Sequence, residues 1–314
     1  MNTTNTTGAD SGFDHDVVIV GGGPAGCSAG VFTARYGLDT HIFDDGRSSI
    51  QRCAFLENYL GFPAGIDIET LYALMHDHAE EAGCEIASDL VESVQRSDDG
   101  DGFVVSPQDG DQVTARRVVA ATRYDGEYMR GLDDDEAMFE TREHDGEQRE
   151  HFDKSYAESD GTTPVSGLYI VSPYGETGYQ ASMAAGHGTR VGITLVEHVR
   201  RERGYPEPLM GHYDWVRRET ELDEEWSDRD RWREFFNDRL PDNYELSEEQ
   251  LVEIREREID RRLASYLPGE EIGRRVERGH RRLLEHIDDE LILEAAREIE
   301  TERQSNAVNN CHGR

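Results

Sequence analysis

The chain has 314 residues, enough for one large domain or two smaller ones with a substantial core. Its formal charge is -34, and Lys154 is its only lysine. This acidic, arginine-over-lysine composition indicates a halophilic protein, because concentrated salt screens self-repulsion and carboxylates keep the surface hydrated. The same charge disfavours DNA or RNA binding. With no apolar run long enough for a bilayer and no signal peptide before the first predicted strand, we expect a soluble, cytoplasmic protein.

The cysteines are too widely spaced for a disulfide framework or a zinc site, and none forms a C-x-x-C pair. They are Cys27, Cys53, Cys84 and Cys311. The histidines also lack ligand spacing, so we expect no metal. His76 and His78 point to different faces of a predicted helix, and we place His78 at the apolar edge and His76 in solvent.

A strand, a glycine-rich turn, a helix, a second strand and an acidic pair follow one another from Val17 to Gly46. Val17–Val20 and Thr40–Phe43 are the apolar strand patterns, and Asp44 and Asp45 end the second. The turn consists of Gly21, Gly22, Gly23, Pro24, Ala25 and Gly26. This order is typical of the unit that holds the ADP half of a dinucleotide, although a purely structural glycine turn is the alternative.

Each part of this unit has a structural role in holding a dinucleotide. Gly21 permits the tight turn, Gly23 lets the backbone approach a pyrophosphate, and Gly26 lets the helix pack closely on the strand. The helix directs its unpaired N–H groups and positive dipole end at the phosphates. Asp44 stands where a carboxylate accepts the ribose hydroxyls.

The remaining patterns predict an α/β fold: a Rossmann-like, doubly wound parallel sheet with a small antiparallel meander and a C-terminal α-helical extension. We predict a disordered tail over 1–12, a nucleotide domain over 13–204 and the extension over 205–314. Within the domain we expect a helix at 68–83, the meander and a buried strand between 85 and 122, an irregular acidic linker at about 131–161, a strand at 167–171 and a helix at 180–199.

The extension contains charged helical patterns at 227–237, 247–267 and 270–303. Ser247 and Gln250 form a predicted capping box. Narrow apolar seams, with Val252 and Ile259 on one and Val276 and Leu283 on the next, predict a helical hairpin that buries one stripe. The stripe could pack on the first domain, on a dimer mate or on a partner protein.

These residues resemble the flavin domain of low-molecular-weight thioredoxin reductases and other pyridine-nucleotide–disulfide oxidoreductases. Glu57 and Asn58, with Gly61–Pro63, are similar to that family's E-N-x-x-G-x-P flavin loop. The resemblance resumes weakly at 118–139 and again at 167–192, and covers about half the chain.

The resemblance implies that FAD is the cofactor and assigns positions to its parts. The glycine turn would face the pyrophosphate, Asp44 the adenosine ribose, and the backbone of Val91 the adenine. Asn58 matches a flavin-contacting position, and Thr122 belongs to the family's A-T-G element. Gln180 and Ala181 match a Gln-Ala pair whose backbone N–H groups would stabilise negative charge on the reduced flavin ring.

The chain also departs from the family. Only about forty-five residues separate Thr122 from Gly167, too few for a second nucleotide domain of roughly 100 residues. The redox C-x-x-C carried by that domain is absent. Arg123 replaces the glycine of the A-T-G element, and Ser172-Pro173 replace a Gly-Asp pair that holds the flavin ribityl chain.

We therefore expect an FAD-dependent oxidoreductase of reduced architecture, receiving electrons from NAD(P)H or a partner protein, with no catalytic residue identified. The alternative is a non-catalytic module that binds FAD or another adenine nucleotide as a sensor or assembly cofactor. An NAD-dependent dehydrogenase is weaker, since no substrate domain is evident. Cys53 lies in the loop that passes near the flavin in the family, and is either a redox thiol or an ordinary loop thiol. Cys27 is predicted to be buried packing.

Overall fold

The computed structural model describes residues 12–98, 100–123, 125–144, 147–171, 180–241, 244 and 246–312. The chain divides into two compact units. The first comprises the described residues up to Asp214 together with Glu234–Arg255, and the second comprises Trp215–Arg233 with the described residues from Glu256 onward. The segment Glu234–Arg255, which the sequence assigned to the helical extension, therefore lies with the first unit.

The first unit contains a sheet and the helices that flank it. The strands are β1 (His15–Val20), β2 (Thr40–Phe43), β3 (Phe55–Leu56), β4 (Ile66–Asp67), β5 (Glu85–Ala87), β6 (Val91–Arg96), β7 (Phe103–Pro107), β8 (Val113–Ala120), β9 (Phe139–His144), β10 (Glu147–Phe152) and β11 (Leu168–Ile170). The helices are α1 (Pro24–Arg35), α2 (Ile68–Ala82), α3 (Asp135–Met138) and α4 (Ala181–Glu202).

The main sheet has the order β5-β2-β1-β8-β7-β6, with β11 also paired to β8. Strands β5, β2, β1, β8 and β11 are parallel, whereas β6, β7 and the start of β8 form an antiparallel meander. The predicted α/β class, with a parallel sheet and an antiparallel meander, is confirmed. The meander and the buried strand that follows it are continuous, because β8 pairs with β7 through its first residues and with β1 and β11 through its last.

Alternate residues of β1 supply the two sides of the core. Val17 and Ile19 pack in the cluster that includes residues of α1 and α4. Val18 and Val20 pack on the opposite face, with Phe139 and Phe152. The second face is therefore covered by the β9–β10 hairpin, where a doubly wound sheet would carry further long helices.

The acidic segment at 131–161 is regular, so the irregular conformation predicted for it is wrong. It contains α3 and the antiparallel pair β9–β10, in which Phe139 faces Phe152. The two rings meet edge to face with centroids 6.0 Å apart, and both are buried. One buried aromatic pair anchors the hairpin, while its acidic residues face water and mask the strand pattern.

The backbones of α1 and α4 lie directly against each other. A Cβ added at Gly188 would meet the carbonyl oxygen of Ala25 at 2.0 Å, and one at Gly192 would meet that of Ala29 at 2.9 Å. Helix α4, predicted over 180–199, is confirmed and extends to Glu202. The start of α1 therefore packs against Gly188, about two turns after the start of α4.

The rest of the chain contains β12 (Arg217–Arg218), α5 (Glu224–Ser227), α6 (Arg229–Asn237), α7 (Glu248–Ala264), β13 (Tyr266–Leu267), α8 (Gly269–Leu284) and α9 (Asp289–His312). The capping box is confirmed, since Ser247 N–H donates to Gln250 Oε1 at 3.0 Å and Gln250 N–H to Ser247 Oγ at 3.2 Å. The single helical pattern at 270–303 is two helices. Asp288 Oδ1 accepts from the N–H groups of Glu290 (2.8 Å) and Leu291 (3.3 Å), which caps a new helix.

The two apolar seams differ in burial among the described residues. On α7, Val252 is 40% exposed, whereas Leu251 and Ile254 are buried. No residue of α8 is buried, so the partner of its apolar stripe stays a prediction. Among the described residues, no helix is both long and apolar enough to cross a bilayer.

Candidate functional site

A cavity of about 480 Å³ lies in the first unit, where β1, β8 and β11 end. Gly23, Ala121 and Val171, which follow these strands, all line it. The other lining residues are Pro24, Ala25, Ser48, Ser49, Ile50, Cys53, Leu56, Arg123, Gln180, Ala181, Met183, Ala184 and His187. Ligands of open α/β sheets bind outside the carboxyl ends of the strands, and this volume falls within the range of small-molecule sites.

Two helices begin at this cavity. Helix α1 starts at Pro24 after the N-cap residue Gly23, and α4 starts at Ala181 after Gln180. Gly23 has no side chain, and the side chain of Gln180 makes no capping hydrogen bond to α4. The N–H groups of both first turns and both positive dipole ends therefore border one space, which favours an anionic or electron-rich ligand.

No aspartate or glutamate is among the described residues that line the cavity, although the chain has 67 acidic residues. Arg123 supplies a guanidinium, whose Nη1 donates to Ser49 Oγ at 2.7 Å. This arginine has φ +68°, and it is the only non-glycine with positive φ in the described ranges. The residue that replaces the family's glycine thus keeps a glycine-like backbone and adds a cation to the cavity wall.

The glycine turn has no room for side chains. Gly21 has φ +108°, and a Cβ there would lie 2.8 Å from the carbonyl oxygen of Ala121. A Cβ at Gly22 would lie 2.5 Å from Asp44 Cβ, and one at Gly26 only 1.8 Å from the oxygen of Gly21. At Gly23 it would lie 2.8 Å from Ser48 Oγ. These approaches leave bare backbone at the start of α1, as a diphosphate cradle requires.

Asp44 is buried beside this turn and its carboxylate is held by the chain's own groups. Its Oδ1 accepts from the N–H of Gly46 at 3.3 Å and lies 3.4 Å from Tyr72 Oη. Its Oδ2 lies 3.3 Å from His76 Nε2. Burial alone would raise the pKa of Asp44, but the hydrogen bonds from His76 and Gly46 outweigh it and lower that pKa.

His76 also contacts the turn, since its Nε2 lies 3.0 Å from the carbonyl oxygen of Gly22. The hydrogen bond to Asp44 raises the pKa of His76, against the opposing effect of burial. The predicted positions of the two histidines are wrong, because His76 is partly buried and His78 is exposed. Helix α2 turns its His76 face toward the end of β2, a contact that helical periodicity alone does not reveal.

Asn58 and Gln180, which are 122 positions apart in the chain, are joined by a hydrogen bond. Asn58 Nδ2 donates to Gln180 Oε1 at 3.0 Å. The loop that follows β3 is thereby linked to the start of α4, beside the lining residue Ala181.

Three further residues of the predicted site, Asp45, Thr122 and Val91, are not among those that line the cavity. Asp45 pairs with Arg47, whose Nε is 3.3 Å from Asp45 Oδ2. Thr122 Oγ1 is 3.0 Å from Tyr128 Oη, and Val91 is buried at the start of β6. Ser172 and Pro173 fall outside the described residues.

The cysteines have different surroundings. Cys53 is exposed and lines the cavity. Cys27 is buried, as predicted, and its thiol donates to the carbonyl oxygen of Gly22 at 3.1 Å. Burial, with a contribution from nearby Asp44, raises the pKa of Cys27 to about 12, so this thiol stays protonated.

Several lining residues were not predicted from the sequence. His187 lies on the same helix face as Ala181 and Ala184, so the helical repeat from Ala181 contained the signal. Ser48 and Ser49 follow the Asp44–Gly46 turn and return the chain to the start of α1. Their position at the cavity depends on the path of this loop in three dimensions, which no local sequence pattern indicates.

Part of the chain is similar to known proteins. The family model described as pyridine nucleotide-disulphide oxidoreductase matches residues 15–149. A thioredoxin reductase of Bacillus subtilis is 34% identical over 110 residues, which are 34% of this chain and 33% of that protein. A bifunctional thioredoxin reductase/thioredoxin of Mycobacterium leprae is 33% identical over 120 residues, 37% of this chain and 26% of the relative.

The chain thus spans about a third or less of the length of these two relatives. Among solved structures, a thioredoxin reductase from Gloeobacter violaceus superposes with a TM-score of 0.48 and 19% identity, covering 61% of this chain and 97% of that one. The matched segment contains the glycine turn, Asp44 and Asn58. Residues 15–149 thus match the family model of the pyridine nucleotide-disulphide oxidoreductases, and over this part the chain is similar to thioredoxin reductases.

Proposed function

We propose that this chain is an FAD-dependent oxidoreductase of the thioredoxin reductase-like type with a reduced architecture. The observation that carries the proposal is the convergence of the α1 and α4 N-termini on one cavity without a carboxylate in its described wall. FAD has a diphosphate for the first helix and an electron-accepting ring for the second.

The residues present fit the cofactor. The bare backbone from Gly21 to Gly26 would hold the diphosphate, and Asp44 would accept the ribose hydroxyls. Asn58 fixes Gln180, and the N–H groups at the start of α4 would stabilise negative charge on the ring's N1–O2 edge. The backbone of Val91 would contact the adenine. Thr122, which follows β8, would also contact the cofactor. Bound FAD would supply two-electron transfer at its ring.

The donor and acceptor would be external to this chain. No C-x-x-C occurs in the sequence, and the interval between β8 and β11 carries a hairpin where the resembling family has its second nucleotide domain. Electrons would therefore arrive from diffusible NAD(P)H or from a protein. Three expectations remain predictions: the cytoplasmic location, the adaptation to concentrated salt and the domain boundary at residue 204.

The first experiment is purification in molar salt, followed by measurement of bound flavin and anaerobic addition of NADH or NADPH. We expect a yellow protein whose flavin absorption is bleached by a nicotinamide or by a reduced carrier protein. A yellow protein that none of these donors reduces would instead favour a non-catalytic FAD module. A colourless protein that takes up no added FAD would refute the flavin assignment.

A pair of variants on α4 locates the site. Ala184 lines the cavity, whereas Ser182 is exposed on the same helix and does not. Ala184→Trp should fill the cavity and weaken FAD binding by about a hundredfold or more, equivalent to about 2.7 kcal/mol. Ser182→Trp should retain FAD. Equal FAD affinities in the two variants, measured by flavin fluorescence, would contradict the placement.

A further inference from the structure

Arg123 joins two parts of the cavity wall that are far apart in the chain. It follows β8, and its Nη1 donates a hydrogen bond to Ser49 Oγ at 2.7 Å, across 74 positions of sequence. Both residues line the cavity. The hydrogen bond therefore links the end of β8 to the short 3₁₀ helix at Ser49–Arg52, which lies between β2 and β3.

The same loop brings Arg123 toward the start of α1. Ser48 Oγ would lie 2.8 Å from a Cβ at Gly23, which is the N-cap residue of α1. Ser48 and Ser49 are consecutive, so their Cα atoms are about 3.8 Å apart. One serine thus lies against the start of α1 while the next holds the guanidinium of Arg123. The cation and the N–H groups of the first turn of α1 therefore border the same part of the cavity.

The charge of the wall favours an anionic group at this place. Among the described residues that line the cavity, Arg123 is the only arginine, and neither a lysine nor a carboxylate occurs. A guanidinium donates two parallel N–H groups to a phosphate, and a helix N-terminus donates backbone N–H groups to one. A diphosphate has enough oxygens for both.

The backbone of Arg123 also sets it apart from its neighbours. Its φ of +68° lies in the left-handed region, which a glycine adopts without strain and a residue with a side chain does not. The preceding residue, Thr122, has its Oγ1 3.0 Å from Tyr128 Oη and does not line the cavity. Strained residues cluster where side chains contact ligands, so an arginine at this position favours a role in binding.

We propose that Arg123 binds the diphosphate of the bound nucleotide, on the side opposite the start of α1, and that Ser49 positions its guanidinium. The inference rests on the proposed function for the identity of the cofactor, FAD, but ADP carries the same diphosphate without a flavin. In 1 M salt the Debye length is about 3 Å, so long-range attraction is screened and a direct contact of this kind persists. Arg123 would then contribute to affinity for the phosphates and not for the adenosine.

Binding of ADP and of adenosine to the full chain in molar salt tests the proposal, because the two ligands differ by the diphosphate alone. In the wild type, ADP should bind more tightly than adenosine. Arg123→Met should weaken ADP binding by about tenfold or more, equivalent to about 1.4 kcal/mol, and leave adenosine binding unchanged. Methionine keeps an unbranched side chain at the same positive φ, so the backbone strain is matched. Arg123→Lys should lie between the two, since it keeps the charge and loses the planar fork.

Two further variants separate the contact from a general effect on the loop. Arg52→Met is the matched control, because Arg52 is exposed on the same short helix as Ser49 and is not among the residues that line the cavity. It should bind ADP as the wild type does. Ser49→Ala should weaken ADP binding by about threefold in the wild type and have no further effect in the Arg123→Met background, because Ser49 acts through the guanidinium.

The outcomes also distinguish this inference from the flavin assignment. A chain that shows the ADP pattern but takes up no FAD would refute the flavin assignment and support the role of Arg123. Unchanged ADP affinity in Arg123→Met would overturn the inference, as would an equal loss for adenosine or a wild type that binds ADP no more tightly than adenosine. A loss of FAD affinity without a loss of ADP affinity would place the guanidinium at the flavin ring and overturn the diphosphate contact.

Discussion

His76 Nε2 lies 3.3 Å from Asp44 Oδ2 and 3.0 Å from the carbonyl oxygen of Gly22. One imidazole of α2 thus contacts both the acid at the end of β2 and the glycine turn at the start of α1. Because these two elements form the proposed diphosphate and ribose sites, His76 fixes their relative position. A ribose bound at Asp44 would share a carboxylate that His76 already orients.

This contact predicts a pH dependence of stability. Since the folded-state pKa of His76 is raised above its ordinary value, protonation stabilises the folded chain. That stabilisation is fully present below about pH 6.5 and is lost as the pH rises through the folded-state pKa. The pKa of Asp44 is lowered, so its contribution is lost only in acid, below the ordinary carboxylate range.

We therefore expect His76→Gln to cost roughly 1 kcal/mol of unfolding free energy at pH 6 and less at pH 8. Urea denaturation in molar salt at both pH values measures the difference. His78→Gln on the exposed face of α2 is the control and should show no such difference. Parallel pH profiles for wild type and His76→Gln would contradict the prediction.

The Asn58–Gln180 hydrogen bond predicts an energetic coupling between the loop that follows β3 and α4. Asn58→Ala and Gln180→Ala should each destabilise the folded chain slightly, and the double variant should cost less than their sum. We expect a coupling free energy of about 0.5–1.5 kcal/mol from a double-mutant cycle. Strict additivity would mean that the loop and the helix are independent in solution.

The left-handed backbone conformation of Arg123 predicts that replacement by glycine and replacement by alanine differ in their effect on stability. Both Arg123→Gly and Arg123→Ala lose the contact with Ser49, but only glycine relieves the strain of φ +68°. The glycine variant should therefore be more stable than the alanine variant by about 1 kcal/mol. Thermal unfolding of the two proteins provides the comparison. The reverse order would mean that the backbone leaves the left-handed region once the guanidinium is removed.

The elements that could be predicted are those whose signal is local in the sequence. From β1 through the glycine turn to Asp44, the order of the elements follows from turn geometry and from strand and helix periodicity, and the structure contains the whole unit. The β9–β10 hairpin was missed because its pairing depends on Phe139 and Phe152, thirteen positions apart among acidic residues. His76 was misplaced because the group that holds it, Asp44, lies on another element.

The packing of α1 on α4 leads to the last prediction, which compares the same substitution at two glycines of one helix. A Cβ at Gly188 would meet the backbone oxygen of Ala25 at 2.0 Å, whereas one at Gly186 would meet nothing within 4 Å. Gly186→Ala should stabilise the chain by about 0.5–1 kcal/mol, because alanine favours the helix. Gly188→Ala should destabilise it by roughly 1–3 kcal/mol and weaken FAD binding, since α4 must move away from the start of α1. If Gly188→Ala were as stable as Gly186→Ala, measured by urea unfolding, the close contact of α1 and α4 would not exist in solution, and the convergence of their N-termini on one cavity would lose its structural basis.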